Sequence, residues 1–382
     1  VPGTGQLPAV TFSSDYFVAR ERFRLAAREA GCEIESHPIS ARGPEGQELT
    51  IDVALCGGAT AARAVVVSSG LHGVEGFLGS AVQLAMLPDV VAQTARAARV
   101  VLLHGINPFG FAWLRRCNAS NVDLNRNFLL PGQPYSGSPP QYGQLDRLFN
   151  PRRPPRRWLP SSAPLLWALL TQGFGTLVCT LPVGQYQFPC GLFYGGDAPA
   201  EEHRLVAQHL ERWIGSAAEV VHLDLHTGLG RWSKLTLLVD DCRSSPGTAL
   251  LGQMFAGERL ITTLLDDGRP GPRAAYASRG SWNRWCVRHF AQRLYAFATV
   301  EAGTYAMWRV ATALRAENAA WHHGTCRHDY AWTRRRLAEV FAPAHLRWRQ
   351  VTLTHALQLV QRACDWASAS GSVAARGRLA TA

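Results

Sequence analysis

The chain has 382 residues, 47% of them hydrophobic and 18% charged, the composition of a globular protein that can bury a large core as one big α/β domain or two smaller ones. No uninterrupted apolar run reaches the roughly 18 residues that a membrane span needs, so no membrane partner is expected. The formal net charge of +11 invites a nucleic-acid reading, but 38 of the 39 basic residues are arginines, Lys234 being the only lysine. That bias, with abundant Ala, Gly and Pro, points to codon composition. The arginines are dispersed and no recognition motif accompanies them, so nucleic acid is not expected either.

The nine cysteines are odd in number, scattered, and contain no Cys-x-x-Cys pair, which argues against a disulfide framework or a cysteine zinc site and for small buried residues. The opening Val1-Pro2-Gly3-Thr4-Gly5 lacks the basic-then-apolar layout of a secretory leader, and a cytoplasmic location is the default expectation.

In chain order, residues 1–10 read as a mobile arm. Ser14 to Gly31 carries helical apolar spacing between an Asp/Ser start and a Gly stop. Strands are expected at Leu49–Leu55 and Ala64–Ser68, a helix at Phe77–Leu87 ended by Pro88, and a strand at Arg99–Leu103. This alternation indicates a sheet flanked by helices. A turn-rich segment, His104 to Phe111, runs into the polar stretch Arg115-Arg116 and Asn121 to Phe128. Residues 131–195 read as a loop-rich insertion, with a short helix at Leu165–Leu170 and aromatic, glycine-rich loops at Gly184–Tyr186 and Gly191–Gly196. Beyond it come a helix at Ala200–Ile214, strands at Val220–Leu225 and Leu235–Val239, a helix at Thr248–Phe255 and a strand at Leu294–Val300. Helices follow at Met307–Asn318, Tyr330–Phe341 and His345–Ala367, and residues 371–382 form a flexible tail.

Three expected strands end in groups able to do chemistry: His72 with Glu75, His226, and Glu301. A bare His-x-x-Glu carries little meaning alone, but the set has a definite use. Catalytic zinc takes three nitrogen or oxygen ligands and leaves a position for water, and His72, Glu75 and His226 make such a set. Glu301 can then serve as general base and Arg116 as a donor to a developing oxyanion. Asn125 and Arg126 suit a substrate carboxylate, and Asp123 can fix the tautomer of a ligating histidine.

The ordered motifs His72-Gly-Val-Glu75, Asn107-Pro-Phe-Gly110, Asp123-Leu-Asn-Arg126-Asn127, Asp224-Leu-His226-Thr-Gly228 and Glu301-Ala-Gly-Thr-Tyr305 resemble the zinc carboxypeptidase superfamily, in the branch near succinylglutamate desuccinylase and aspartoacylase. They resemble most a bacterial group in which the Gly191–Gly196 loop and Leu314-Arg-Ala-Glu-Asn318 also recur. The resemblance implies one zinc-hydrolase domain over 1–382. Its fold would be α/β, a mixed, mainly parallel eight-stranded sheet between helices, with a helical C-terminal extension at 306–370. It implies one Zn2+ per chain on His72, Glu75 and His226, Glu301 as base, Asn125 and Arg126 at the substrate carboxylate, and Asp123 behind His72. Arg116 matches the carbonyl-polarising arginine, with Arg115 leaving the register open by one. The family's leaving-group tyrosine has two candidates, Tyr194 and Tyr305. The implied substrate is a small peptide or an N-acyl amino acid, cut at an amide next to a carboxylate by a peptidase or a deacylase. A non-catalytic module that keeps the carboxylate pocket is the alternative, and the oligomeric state is left open.

Overall fold

The computed structural model describes residues 11–155, 180–266, 269, 278–324 and 327–369. The expected arm at 1–10, helix at Leu165–Leu170 and tail at 371–382 lie outside the described residues. Helix α1 (Tyr16–Glu29) starts where Asp15 accepts the Val18 N–H at 2.9 Å and buries Tyr16, Ala19, Phe23 and Ala27, one stripe at helical spacing. Strands β1 (Glu33–Arg42) and β2 (Glu48–Cys56) form an antiparallel pair. A disulfide joins Cys32 to Cys56, with Cα atoms 4.7 Å apart. The cysteine reading is corrected there: the two residues are distant in sequence, and only the pairing of Glu33 with Leu55 brings them together.

The sheet continues with β3 (Arg63–Ser69), β4 (Arg99–His104), β5 (Glu219–Gly228), β6 (Leu235–Val239), β7 (Leu260–Thr262) and β8 (Leu294–Gly303), in the order β1-β2-β4-β3-β5-β8-β6-β7. The four central strands β4, β3, β5 and β8 run parallel, while β2 joins β4 and β6 joins β8 antiparallel. Parallel strands covered on both faces carry continuous apolar runs, as in Val65–Val67 and Val100–Leu103, all fully buried.

One face of the sheet packs α1, α2 (Gly76–Met86) and α10 (Leu346–Ser368). The other packs α5 (Glu201–Ile214) and α7 (Trp282–His289). The helical stretch Gly73–Thr94 is apolar and long enough to cross a membrane, with mean hydropathy 1.3, yet 72% of that window is buried in the protein, and burial in the core accounts for its composition. Helix α10 supplies Trp348, Leu353, Leu359 and Val360 to the main core, so this helix is part of the fold's body. Helices α8 (Met307–His323) and α9 (Arg327–Phe341) cover the carboxyl ends of the strands through Val310, Leu314, Leu337 and Phe341, packed on Val74 and Leu192.

Among the described residues, helices that were not expected include α3 (Pro108–Trp113), α4 (Pro140–Phe149) and α7; α6 (Pro246–Met254) corresponds to the one expected at 248–255. From β3 the chain winds outward to β4 on one side, and from β5 to β8 on the other. The crevice at the carboxyl ends of β3 and β5 is thus the switch point where open α/β sheets bind ligands.

Candidate metal centre and active-site cavity

His72 and Glu75 stand on the short turn after β3. The Gly73 N–H donates to the Arg116 carbonyl at 3.3 Å and the Val74 N–H to the Arg115 carbonyl at 2.8 Å. Asn107 anchors that second segment. Its Oδ1 accepts the Gly110 N–H at 2.8 Å at the start of α3, and its Nδ2 donates to the Arg116 carbonyl at 3.1 Å. The Asn107-Pro-Phe-Gly110 motif is therefore a brace for the His72–Glu75 turn. A Cβ added to Gly73 would overlap the backbone of Gly110 and Phe111. Gly73→Ala should cost about 1–3 kcal/mol or more by overpacking and shift both side chains. An unchanged melting temperature would show that the two segments do not approach so closely.

His226 and Glu301 are paired residues of β5 and β8. His226 Nδ1 lies 3.1 Å from His72 Nδ1 and 3.1 Å from Glu75 Oε2, and His72 Nδ1 lies 3.0 Å from Glu75 Oε1. The ligand atoms of His72, Glu75 and His226 all lie within 4.8 Å of one another, and all three residues are buried. The far nitrogen of each ring meets a carboxylate: His72 Nε2 lies 3.1 Å from Asp123 Oδ1, and His226 Nε2 lies 2.5 Å from Asp224 Oδ2. The carboxylate at each Nε2 orients its ring so that Nδ1 faces the Glu75 carboxylate. The three buried groups converge on one point, and their nitrogen and oxygen atoms suit a divalent cation.

Arg116 lies along one side of this group. Its Nη1 donates to Glu75 Oε1 at 2.9 Å and its Nε to Asp123 Oδ2 at 3.0 Å, and Nη2 sits 2.8 Å from His72 Nε2. Of the two adjacent arginines, Arg116 lines the cavity. Arg115 is turned away and buried, with Nε 2.7 Å from Glu317 Oε1 and Nη2 donating to Asn121 Oδ1 at 3.0 Å.

Burial alone would raise the Glu75 and Asp123 carboxyls, but the cations beside them outweigh it and hold both below the ordinary carboxylate range. Burial would depress His226, but Asp224 and Glu75 overcome it and raise its pKa well above the ordinary value. Glu301 goes the opposite way from Glu75. Burial, and then the Glu75 charge, push it up to about 7, although its Oε1 accepts the Leu229 N–H at 2.8 Å. The two neighbouring carboxyls are thus driven apart, Glu75 downward and Glu301 upward.

His72, Glu75, Arg116, His226 and Glu301 line one cavity of about 570 Å³, together with Asn125 and Arg126. Asn125 Oδ1 accepts the Trp282 N–H at 3.0 Å. Arg126 is aimed by bonds from Nε to the Pro182 carbonyl at 2.8 Å and from Nη1 to the Asn125 carbonyl at 2.6 Å. Neither tyrosine candidate reaches the cavity, which is a correction. Tyr194 is buried in the core under α5 and offers its carbonyl to the Asp123 N–H at 2.7 Å. The Tyr305 hydroxyl donates to Glu339 Oε1 at 2.6 Å. Among the described residues no tyrosine lines the cavity.

Sequence reasoning missed Asp224 as the partner of His226, although residues two apart on a strand share a face. It also missed Ser68, which donates to Asp224 Oδ1 at 2.7 Å; Phe193, in the aromatic Gly191–Gly196 loop, lines the cavity with its ring 5.2 Å from the Arg116 guanidinium and 5.5 Å from that of Arg126.

The mixed eight-stranded sheet between helices is the carboxypeptidase-like fold. The chain belongs to the family described as "Protein of unknown function (DUF2817)", whose model matches residues 12–355. Among solved structures, thrombin activatable fibrinolysis inhibitor is 12% identical over 93% of this chain and 74% of its own, with a TM-score of 0.51. The bovine protein of that name, in complex with tick carboxypeptidase inhibitor, is 12% identical over 93% of this chain and 97% of its own, with a TM-score of 0.49. Murein-tripeptide amidase MpaA from Escherichia coli O157 is 18% identical over 79% of this chain and 91% of its own, at 0.36. None of the curated proteins matches the chain in sequence.

Proposed function

We propose that the protein is a zinc-dependent hydrolase that cuts an amide bond next to a carboxylate, in a small peptide or an N-acyl amino acid. The observation that carries this reading is the buried His72–Glu75–His226 set with the raised-pKa carboxyl of Glu301 in the same cavity. Zinc on His72 Nδ1, His226 Nδ1 and Glu75 would supply Lewis acidity toward a carbonyl and lower the pKa of water.

The chain's own residues do the rest. Asn125 and Arg126 hold the substrate carboxylate, which sets the scissile amide at a fixed distance from the centre. Glu301 takes the proton of the attacking water and gives it to the leaving nitrogen, so it begins and ends the cycle ionised. Arg116 donates to the oxygen that gains charge during attack, which is stabilisation specific to the transition state. Asp123 and Asp224 keep the two imidazoles oriented.

Screening N-acyl amino acids and short peptides for released amine, with and without a chelator, tests the reading. No turnover of any member by zinc-loaded protein would count against it. The pH profile adds a second check. The base must be ionised, so kcat/KM should fall about tenfold per pH unit on the acid side. A bound cation lowers the Glu301 pKa from its value near 7, which places the limb at or below neutrality. A rate that rises as pH falls through this range would contradict the assignment.

A further inference from the structure

The cavity has a second polar region, away from the metal centre, that no step above uses. Asp240 and Asn283 both line the cavity, at 7% and 4% exposed. Each has one buried acceptor oxygen without a partner, Asp240 Oδ2 and Asn283 Oδ1. Such atoms are costly to bury unpaired and are rare without a reason. Asp240 Oδ1 is engaged by Arg284 Nη2 at 2.7 Å and by the Thr263 hydroxyl, which leaves Oδ2 free. Asn283 Nδ2 is directed at two carbonyls, Leu238 at 3.3 Å and Phe297 at 3.4 Å. The amide therefore cannot flip without opposing oxygen to oxygen.

Chain geometry couples this region to the carboxylate grip. The Trp282 N–H holds Asn125, the next residue is Asn283, and the one after, Arg284, holds Asp240. Asp240 is also near enough for its charge to act on Arg126. A substrate residue whose carboxylate sits on Asn125 and Arg126 thus has this region within reach of its side chain.

Resting on the hydrolase reading, we infer that Asp240 and Asn283 form a specificity pocket for a side chain ending in nitrogen donors, a carboxamide or an ammonium group. The two free acceptors pair with N–H groups. A side chain ending in a carboxylate would set oxygen against oxygen, and an aliphatic one would leave both acceptors unpaired. A pocket built to hydrogen-bond a group discriminates strongly against an analogue lacking it.

The test uses one acyl group on four amino acids: glutamine, ornithine, norleucine and glutamate. Zinc-loaded wild-type protein should hydrolyse the first two with kcat/KM at least about tenfold above the last two. Asp240→Asn and Asn283→Leu, checked for folding by circular dichroism and melting, should each shrink that ratio. Calorimetric binding of the free amino acids separates recognition in the pocket from hydrolysis. Glutamine or ornithine bound at least about tenfold more tightly than norleucine, in protein that turns over nothing, would uphold the pocket and count against the hydrolase. Turnover without preference, or norleucine binding as well as glutamine, would overturn the pocket and leave the hydrolase standing.

Discussion

Glu301→Gln is expected to lower turnover about 10²–10⁴-fold, the usual worth of a positioned general base, and to leave metal content unchanged. The amide keeps an oxygen for the Leu229 N–H, so the backbone between β5 and β6 stays in place. It cannot accept the water's proton. Glu301 lies outside the converging set of His72, Glu75 and His226, which is why metal should be retained. The variant should be no less stable above neutral pH. A carboxyl whose folded pKa lies above its unfolded value takes up a proton on folding, so its ionisation weakens the fold as pH rises through about 7. A neutral amide removes that cost. Wild-type turnover by the variant would eliminate Glu301 as the base.

Arg115→Ala is expected to be the most destabilising of the single changes considered, by about 3–5 kcal/mol, because it removes one partner of a buried pair. Arg115 is 1% exposed and Glu317 3%, with 2.7 Å between them, and the guanidinium lies 4.0 Å from the Trp321 ring centre. Burial raises the Glu317 pKa and Arg115 lowers it, with burial the larger effect. Without Arg115 the raised carboxyl favours folding only while protonated, so the loss should be larger at pH 8 than at pH 5. Arg115→Met with Glu317→Met should recover much of the stability, since replacing both partners leaves no unpaired charge. Chemical denaturation of the single and double variants at both pH values checks this, and additive losses would contradict it. The effect on activity is indirect, because the Arg115 carbonyl holds the turn that carries Glu75.

The two arginines show what the sequence could and could not disclose. Their adjacency made the site legible to within one residue. The choice between them depends on Glu317, some 202 positions away, a distance at which no local pattern operates. The central strands were legible because parallel strands buried on both faces are apolar throughout. Strand β1, Glu-Ile-Glu-Ser-His-Pro-Ile-Ser-Ala-Arg, was not, because it is a half-exposed edge whose single fully buried residue is Ile39. Edge strands carry polar residues and prolines that read as loop. Strand β7 has only three residues, and α3 and α4 sit among prolines and glycines that mimic turns. His72, Glu75, His226 and Glu301 were legible because each follows or ends a recognisable strand. Asp240 and Asn283 were not, since a lone Asp after a strand and a lone Asn in a helix carry no signal until the fold brings them into one cavity. The tyrosine candidates failed for a related reason: position near a motif says nothing about which way a ring turns.

The most direct test of the central claim is the metal content of purified wild-type protein, by elemental analysis, beside His72→Ala. The account predicts about one zinc per chain in the wild type and loss of most of it in the variant, since removing one of three ligands leaves an incomplete set. Absence of zinc from the wild type after reconstitution, or equal zinc in both proteins, would contradict it.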